Sequence, residues 1–199
     1  MSEQIDAPKE KIYYDQRSVA IRTPQSIYFV NEHDKMAMIG VLLNEYQKMQ
    51  VIIVVKSKKK ADTLSQFLIS KEFNALAVHG NHREIQQQEA ATKFNEGNLH
   101  VIITTDMILK TLGLENMKLV LNHDLPEDAQ EYYNRLALMK EKGVAMSLVS
   151  PEEEGLLSDI EVNMKVEIEE KILEDFIPTD APAQSTKRKK KPRHRKNKA

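Results

Sequence analysis

Cysteine is absent from the 199-residue sequence, which excludes disulfides, thiolate metal sites and cysteine nucleophiles. A reducing compartment fits that absence. Long hydrophobic runs are missing too: the longest, VIIVV at 51–55, falls far short of the ~20 residues that a membrane-spanning helix needs. The N-terminal MSEQIDAPKEK has no apolar stretch and does not read as a secretory signal. Six Gly and seven Pro are too few for a low-complexity chain. What is present, a hydrophobic fraction of 41%, supports a core of ordinary size, and the length suits one domain with appendages. The expectation is a soluble, cytoplasmic protein.

The net charge of −1 conceals an asymmetry. Residues 187–198 contain no acid and nine cations: Lys187, Arg188, Lys189, Lys190, Lys191, Arg193, Arg195, Lys196 and Lys198. Of the 29 Lys and Arg, 20 then remain against 30 Asp and Glu, so the rest of the chain carries a net of −10. An acidic body should repel a phosphate backbone and a basic tail should attract one. Without interleaved aromatics, the tail fits binding of single-stranded RNA that does not read sequence, with a salt slope of about −6 if all nine cations engage. A solubilising or nuclear-targeting tail is the plainer alternative.

Short β-branched runs alternate with helical patterns along the body, the signature of βαβ units and a parallel sheet. Strands are expected at 27–30, 51–55, 75–78, 101–104, 119–121 and 144–149, with helices at 34–49, 59–71, 82–95, 107–110 and 127–139. In the first long helix, Met38, Ile39, Leu42, Leu43 and Tyr46 share one face. Pro151 opens a final helical pattern that runs to Phe176, long enough to predict a break near Asn163. Residues 1–23 read as an extended arm, and 178–199 as a disordered tail, because the tail's composition cannot bury enough apolar surface to offset the entropy of ordering.

Four stretches in fixed order carry a family resemblance. They are VIIVVKSKKKADTL at 51–64; His79-Gly80 with Phe94 and Gly97 behind it; VIITTD at 101–106; and LVLNHDLPEDAQEY at 119–132 followed by GVAMSLVSPEE at 143–153. Together they make residues 24–177 resemble the C-terminal, second RecA-like domain of DEAD-box RNA helicases. The resemblance implies an α/β fold of three layers around a mainly parallel sheet. It also implies that Ser57, Gly80 and Thr105 touch an RNA sugar-phosphate backbone, contacts that position a strand without reading its bases. Small residues at strand ends are the plainer account of these three. Asp106 has two readings: a cap on the short helix that follows it, or a tie to Arg135 as the resemblance implies.

The departures from the family concern chemistry. Where the family's nucleotide-contacting ARGLD-like stretch stands, this chain has Lys110, Thr111, Leu112 and Gly113. Of the family's HRIGRTGR arginines only Arg135 remains, the first finger position is Leu138, and Lys140 is the nearest cation beyond it. An arginine finger contributes roughly 10³–10⁵ in rate, and one lysine lacks its planar fork. The family's Q-x-x-R pair has become Glu84 and Gln87, and neither a G-x-x-x-x-G-K-[ST] loop nor a D-E-A-D run is present.

The resulting expectation is a non-catalytic RNA-binding protein with no catalytic residue, cofactor or metal, in which Asp106 and Arg135 are remnants of a nucleotide site. His79 and His82, at i, i+3, read as a strand end and an exposed first turn rather than as metal ligands. Two alternatives stand beside this reading. One is a module that docks on a DEAD-box helicase or on a ribosomal or RNA-processing partner. The other is half of an ATP-dependent RNA helicase that works only with a separate first domain.

Overall fold

The computed structural model describes residues 16–47, 49–115, 117–139 and 143–179. The elements are α1 (Gln16–Arg22), β1 (Gln25–Phe29), α2 (Lys35–Glu45), β2 (Val51–Val54), α3 (Lys58–Ser70), β3 (Ala75–Val78) and α4 (Glu84–Asn95). They continue with β4 (Val101–Thr104), α5 (Asp106–Leu109), β5 (Leu119–Asn122), α6 (Ala129–Ala137), β6 (Val144–Val149), α7 (Glu154–Met164) and β7 (Glu169–Glu170). The strands form one parallel sheet in the order β3-β4-β2-β5-β6-β1-β7.

The hydrophobic runs explain the layering. Successive residues of a strand face opposite sides, so Val51 and Ile53 pack with Leu42 of α2 and Leu64 of α3. Ile52 and Val54 instead pack with Val19 of α1, Phe94 of α4, Leu136 of α6 and Ile160 of α7. A strand covered on both faces has to be apolar throughout. Each such side chain, fully buried, contributes about 1.5–3 kcal/mol. Helix starts are specified locally. Ser57 Oγ accepts from Lys60 N at 3.2 Å ahead of α3, and Asp128 Oδ1 accepts from Gln130 N at 2.9 Å ahead of α6. Among the described residues, no helix is long and apolar enough to cross a membrane.

One expectation changes. Residues 16–22 belong to α1 rather than to an extended arm, because Val19 and Ala20 bury against the face built by α6 and α7. Residues 1–15 and 180–199 lie outside the described residues. The pattern opened by Pro151 does break: α7 stops at Met164, and Lys165 adopts a left-handed φ of 53°. The apolar residues beyond the break serve other packing. Ile168 enters the core, and Glu169 and Glu170 pair with Ser26 and Ile27 as a parallel edge strand.

Candidate nucleic-acid interface

The carboxyl ends of β2, β3, β4 and β5 lead into loops that enclose an open groove of about 880 Å³. Ligands of open α/β sheets sit in crevices at this end of the strands. Ser57, Gly80, Thr105, Asp106 and Arg135, separated along the sequence, all line this groove. Ser57 Oγ is engaged as the cap of α3, whereas the Thr105 side chain makes no capping bond ahead of α5. A Cβ added to Gly80 would meet Lys58 Cε and Nζ at 3.6 Å, ordinary contact, so the protein itself does not demand glycine there. Lys58 Nζ donates to Asn81 Oδ1 at 2.7 Å and joins the loops after β2 and β3.

The two lips differ in sign. Exposed Lys56, Lys58 and Lys59 line one, and Glu127, Asp128 and Glu131 line the other, where Lys110 Nζ lies 2.8 Å from Glu131 Oε1. The body's net negative charge hid this cationic lip, although the run KSKKK at 56–60 was its visible signal. The tail residues from Lys187 to Lys198 lie outside the described residues.

Arg135 is 1% exposed and committed within the protein. Its Nε and Nη2 donate to the two oxygens of Asp106, each at 2.7 Å, as a bidentate pair. Its Nη1 donates to Asn122 Oδ1 at 2.8 Å and to the Asp124 carbonyl at 2.9 Å. Four of the five guanidinium N–H groups are thereby used. Asp106 is therefore not the cap of α5, a position that Thr105 occupies; its carboxylate ties the loop after β4 to α6. Leu138 packs against the core, and Lys140 lies outside the described residues. Gln87 Nε2 donates to the His82 carbonyl at 2.9 Å.

A second polar cluster lies beside the groove, and nothing in the sequence pattern announced it. Lys35, 0% exposed, donates to the His123 carbonyl at 2.8 Å and to Glu153, and sits 3.2 Å from Glu32 Oε2. Lys60 Nζ bridges Glu32 Oε1 at 2.7 Å and Asp124 Oδ1 at 2.6 Å. Burial works against ionisation of Asp124, but His123, Lys60 and the Lys56 N–H outweigh it and hold its carboxyl well below the ordinary carboxylate range. Burial likewise opposes the charge on Lys60, and its bonds to Asp124 and Glu32 raise its pKa in spite of it.

The histidines have structural partners. His79 Nδ1 accepts from Asn81 N at 3.4 Å, so Nε2 carries the proton donated to Asp62 Oδ1 at 2.9 Å. The His82 ring sits 4.2 Å from that of His79. Among the described residues no group of three or more His, Asp or Glu side chains is placed to hold a metal.

Known proteins match this arrangement. A model of the helicase conserved C-terminal domain matches residues 34–137. The ATP-dependent RNA helicase SUB2-2 of Vanderwaltozyma polyspora is 31% identical over 168 residues, covering 82% of this chain and 38% of that protein. The ATP-dependent RNA helicase vasa of Drosophila melanogaster is 31% identical over 137 residues, 67% of this chain and 21% of that protein. The chain thus spans well under half the length of these relatives. The E. coli DEAD-box protein SrmB, solved bound to regulator of ribonuclease activity A, matches in fold with a TM-score of 0.74 at 23% identity, over 81% of this chain and 98% of that one. The S. cerevisiae Dbp5 C-terminal domain, solved bound to Gle1 and IP6, matches with a TM-score of 0.66 at 27% identity, over 75% of this chain and 89% of that one.

Proposed function

Since this chain belongs to the helicase conserved C-terminal domain family, in the form found in DEAD-box RNA helicases, we propose that it is a non-catalytic RNA-binding protein whose affinity comes mainly from its basic tail. The observation that carries the non-catalytic reading is the fate of the positions that resemble the family's HRIGRTGR arginines. Arg135 is spent on Asp106, Asn122 and the Asp124 carbonyl, and the neighbouring finger position is a core-packed leucine. Charge developing on a transferring phosphoryl group needs cations aimed at it. An arginine with four of its donors bonded internally is not available for that.

RNA binding in this reading has two parts. The lip formed by Lys56, Lys58 and Lys59 beside Ser57 and Gly80 offers phosphate contacts at the groove, and the nine tail cations supply most of the counterion release. Isothermal titration of the full chain with ATP, with and without RNA, should give no binding heat; clear micromolar binding would restore the enzymatic reading. Replacing the nine tail Lys and Arg by Gln in the full chain should abolish most RNA affinity and flatten the salt slope from about −8, for lip and tail together, towards about −2 for the three lip lysines alone. Undiminished affinity would remove the tail from the proposal.

The Dbp5 C-terminal domain, 27% identical and solved in complex with Gle1, favours one second reading, a module that docks on a helicase or on another RNA-processing protein. A partner captured by the full chain that survives both high salt and nuclease supports that reading, since contacts mediated by RNA vanish under those conditions.

A further inference from the structure

A second cavity opens at the carboxyl ends of β1 and β6 and shares no lining residue with the groove. It holds about 250 Å³. Buried Val30 and Val149 form its floor, and Phe29, Pro151, Phe176 and Pro178 wall it. The walls are fastened from behind. The two prolines have a fixed φ, Phe176 packs against the core, and the residue after Pro178 is anchored twice. Thr179 donates its backbone N–H to buried Asp34 Oδ2 at 3.0 Å and its hydroxyl to Oδ1 at 2.6 Å. The cavity is therefore preformed, as binding sites usually are.

Its surroundings are apolar and uncovered. Phe29 is 44% exposed, and Ile177, between Phe176 and Pro178, is 84% exposed. Single exposed apolar side chains need no explanation, but a group of them around a hollow marks an interaction site. Two polar groups complete the lining. Asn31 precedes the turn after β1 and its side chain makes no capping bond, so its amide can both donate and accept. Glu154 is exposed and carries the only charge among the described residues that line the cavity. An acid suits the first turn of α7, yet that role does not account for the uncovered apolar walls. Exposed Glu152, Glu174 and Asp175, close in sequence to the walls, add to the negative charge.

These features select the occupant. A phosphate or an anionic lipid surface is repelled by the acids and finds no lining cation to hold it. The volume lies below the ~300–1,000 Å³ of small-molecule sites and suits one large side chain. We propose that the cavity docks a segment of a partner protein. A leucine or aromatic side chain of that segment fills the hollow, its backbone meets the Asn31 amide, and an adjoining Lys or Arg faces Glu154. The proposal rests on the docking reading above and gives that reading a surface. An apolar anchor inside a polar rim is how an interface concentrates its affinity.

The probe is a synthetic peptide, GSKRXKRSG amide, with Leu, Phe or Trp at X, titrated into the full chain while amide resonances are followed. It should move those of residues 29–31, 149–154 and 176–179. Alanine at X keeps the charge and should weaken binding about tenfold or more, since the buried anchor is lost. Glutamine in place of the peptide's Lys and Arg should weaken it about two- to fivefold, the range of exposed ion pairs. Phe29→Ser should weaken the leucine peptide, and Glu154→Arg should remove the preference for basic flanks, each with an unchanged spectrum away from the cavity. Equal binding of the alanine peptide, shifts confined to the acidic lip at Glu127, Asp128 and Glu131, or no shifts at millimolar peptide overturns the proposal. So do nuclear Overhauser contacts, in the free chain, from Val149 or Phe176 to residues 1–15 or 180–199, because the chain then fills its own cavity. A partner that survives salt and nuclease and is retained by Phe29→Ser leaves the docking reading standing and removes the cavity from it. Peptide binding in the cavity with no such partner captured supports the cavity and removes the reading.

Discussion

Arg135 places a planar guanidinium in a site with 1% exposure, and the site is built to receive it. The Asp106 carboxylate takes two of its N–H groups, while Asn122 is held in turn by its own donation to Ser147 Oγ at 3.0 Å. Removing Arg135 leaves Asn122 Oδ1 and the Asp124 carbonyl without their buried donor, while the Asp106 carboxylate, 28% exposed at the groove, loses its partner. Arg135→Leu should therefore lower unfolding stability by about 1–3 kcal/mol, read as a lower denaturant midpoint at unchanged slope. The double variant with Asp106→Leu should recover part of the loss. A midpoint within error of wild type would show that the site is wetter than its geometry implies.

At the level of elements, the polar cluster at the carboxyl edge fastens segments that the sheet alone leaves independent. Lys35 at the start of α2 reaches Glu153 before α7, and Glu153 accepts from the backbone of Leu125 at 3.0 Å and of Ser150 at 3.2 Å. One buried ion pair thus holds together the loops after β1, β5 and β6. Lys35→Met and Glu153→Gln should each cost about 3–5 kcal/mol, but the double variant far less than their sum, since the second change removes the group the first left stranded. A double-mutant cycle by chemical denaturation measures that coupling, and additive losses would contradict the contact. The groove inherits its rigidity from the same fastening, because Lys60 connects Glu32 and Asp124 to the first turn of α3.

For the whole molecule, the carboxylates at this edge give stability a definite dependence on pH. Asp34 and Asp124 both titrate below their ordinary value of 3.8 in the folded protein. An unfolded chain binds those protons first as pH drops, so the stability they contribute is present above 3.8 and is lost as pH falls below it, towards the lower folded values. Thermal melts should show a flat midpoint from neutrality down to about pH 5 and a steep fall below ~4. Asp124→Asn should flatten part of that fall. A midpoint that drops in parallel for wild type and variant would assign the acid sensitivity to other groups.

Much of this was legible from the residues in order. The runs at 75–78, 101–104 and 144–149 became β3, β4 and β6 with the expected limits; β4 and β6 lie inside the sheet, where strands covered on both faces are apolar throughout, whereas β3 is the edge strand and leaves Leu76 exposed. The short helix α1 was not legible: seven residues are too few for a periodic signal, and only contact with α6 and α7 decides that Val19 and Ala20 are inside. Ser57, Gly80 and Thr105 were singled out by the family resemblance, with small residues at strand ends as the plainer account, and the sheet order brings all three to one groove. The sequence by itself determined the layered fold and the contrast between an acidic body and a basic C-terminal run, since each depends on local pattern or on composition. Only the tertiary structure decided which charges are free and which are spent. Lys35 meets Glu153 across 118 residues and Asp34 meets Thr179 across 145, and pairing over such distances depends on how the elements pack rather than on any spacing along the chain.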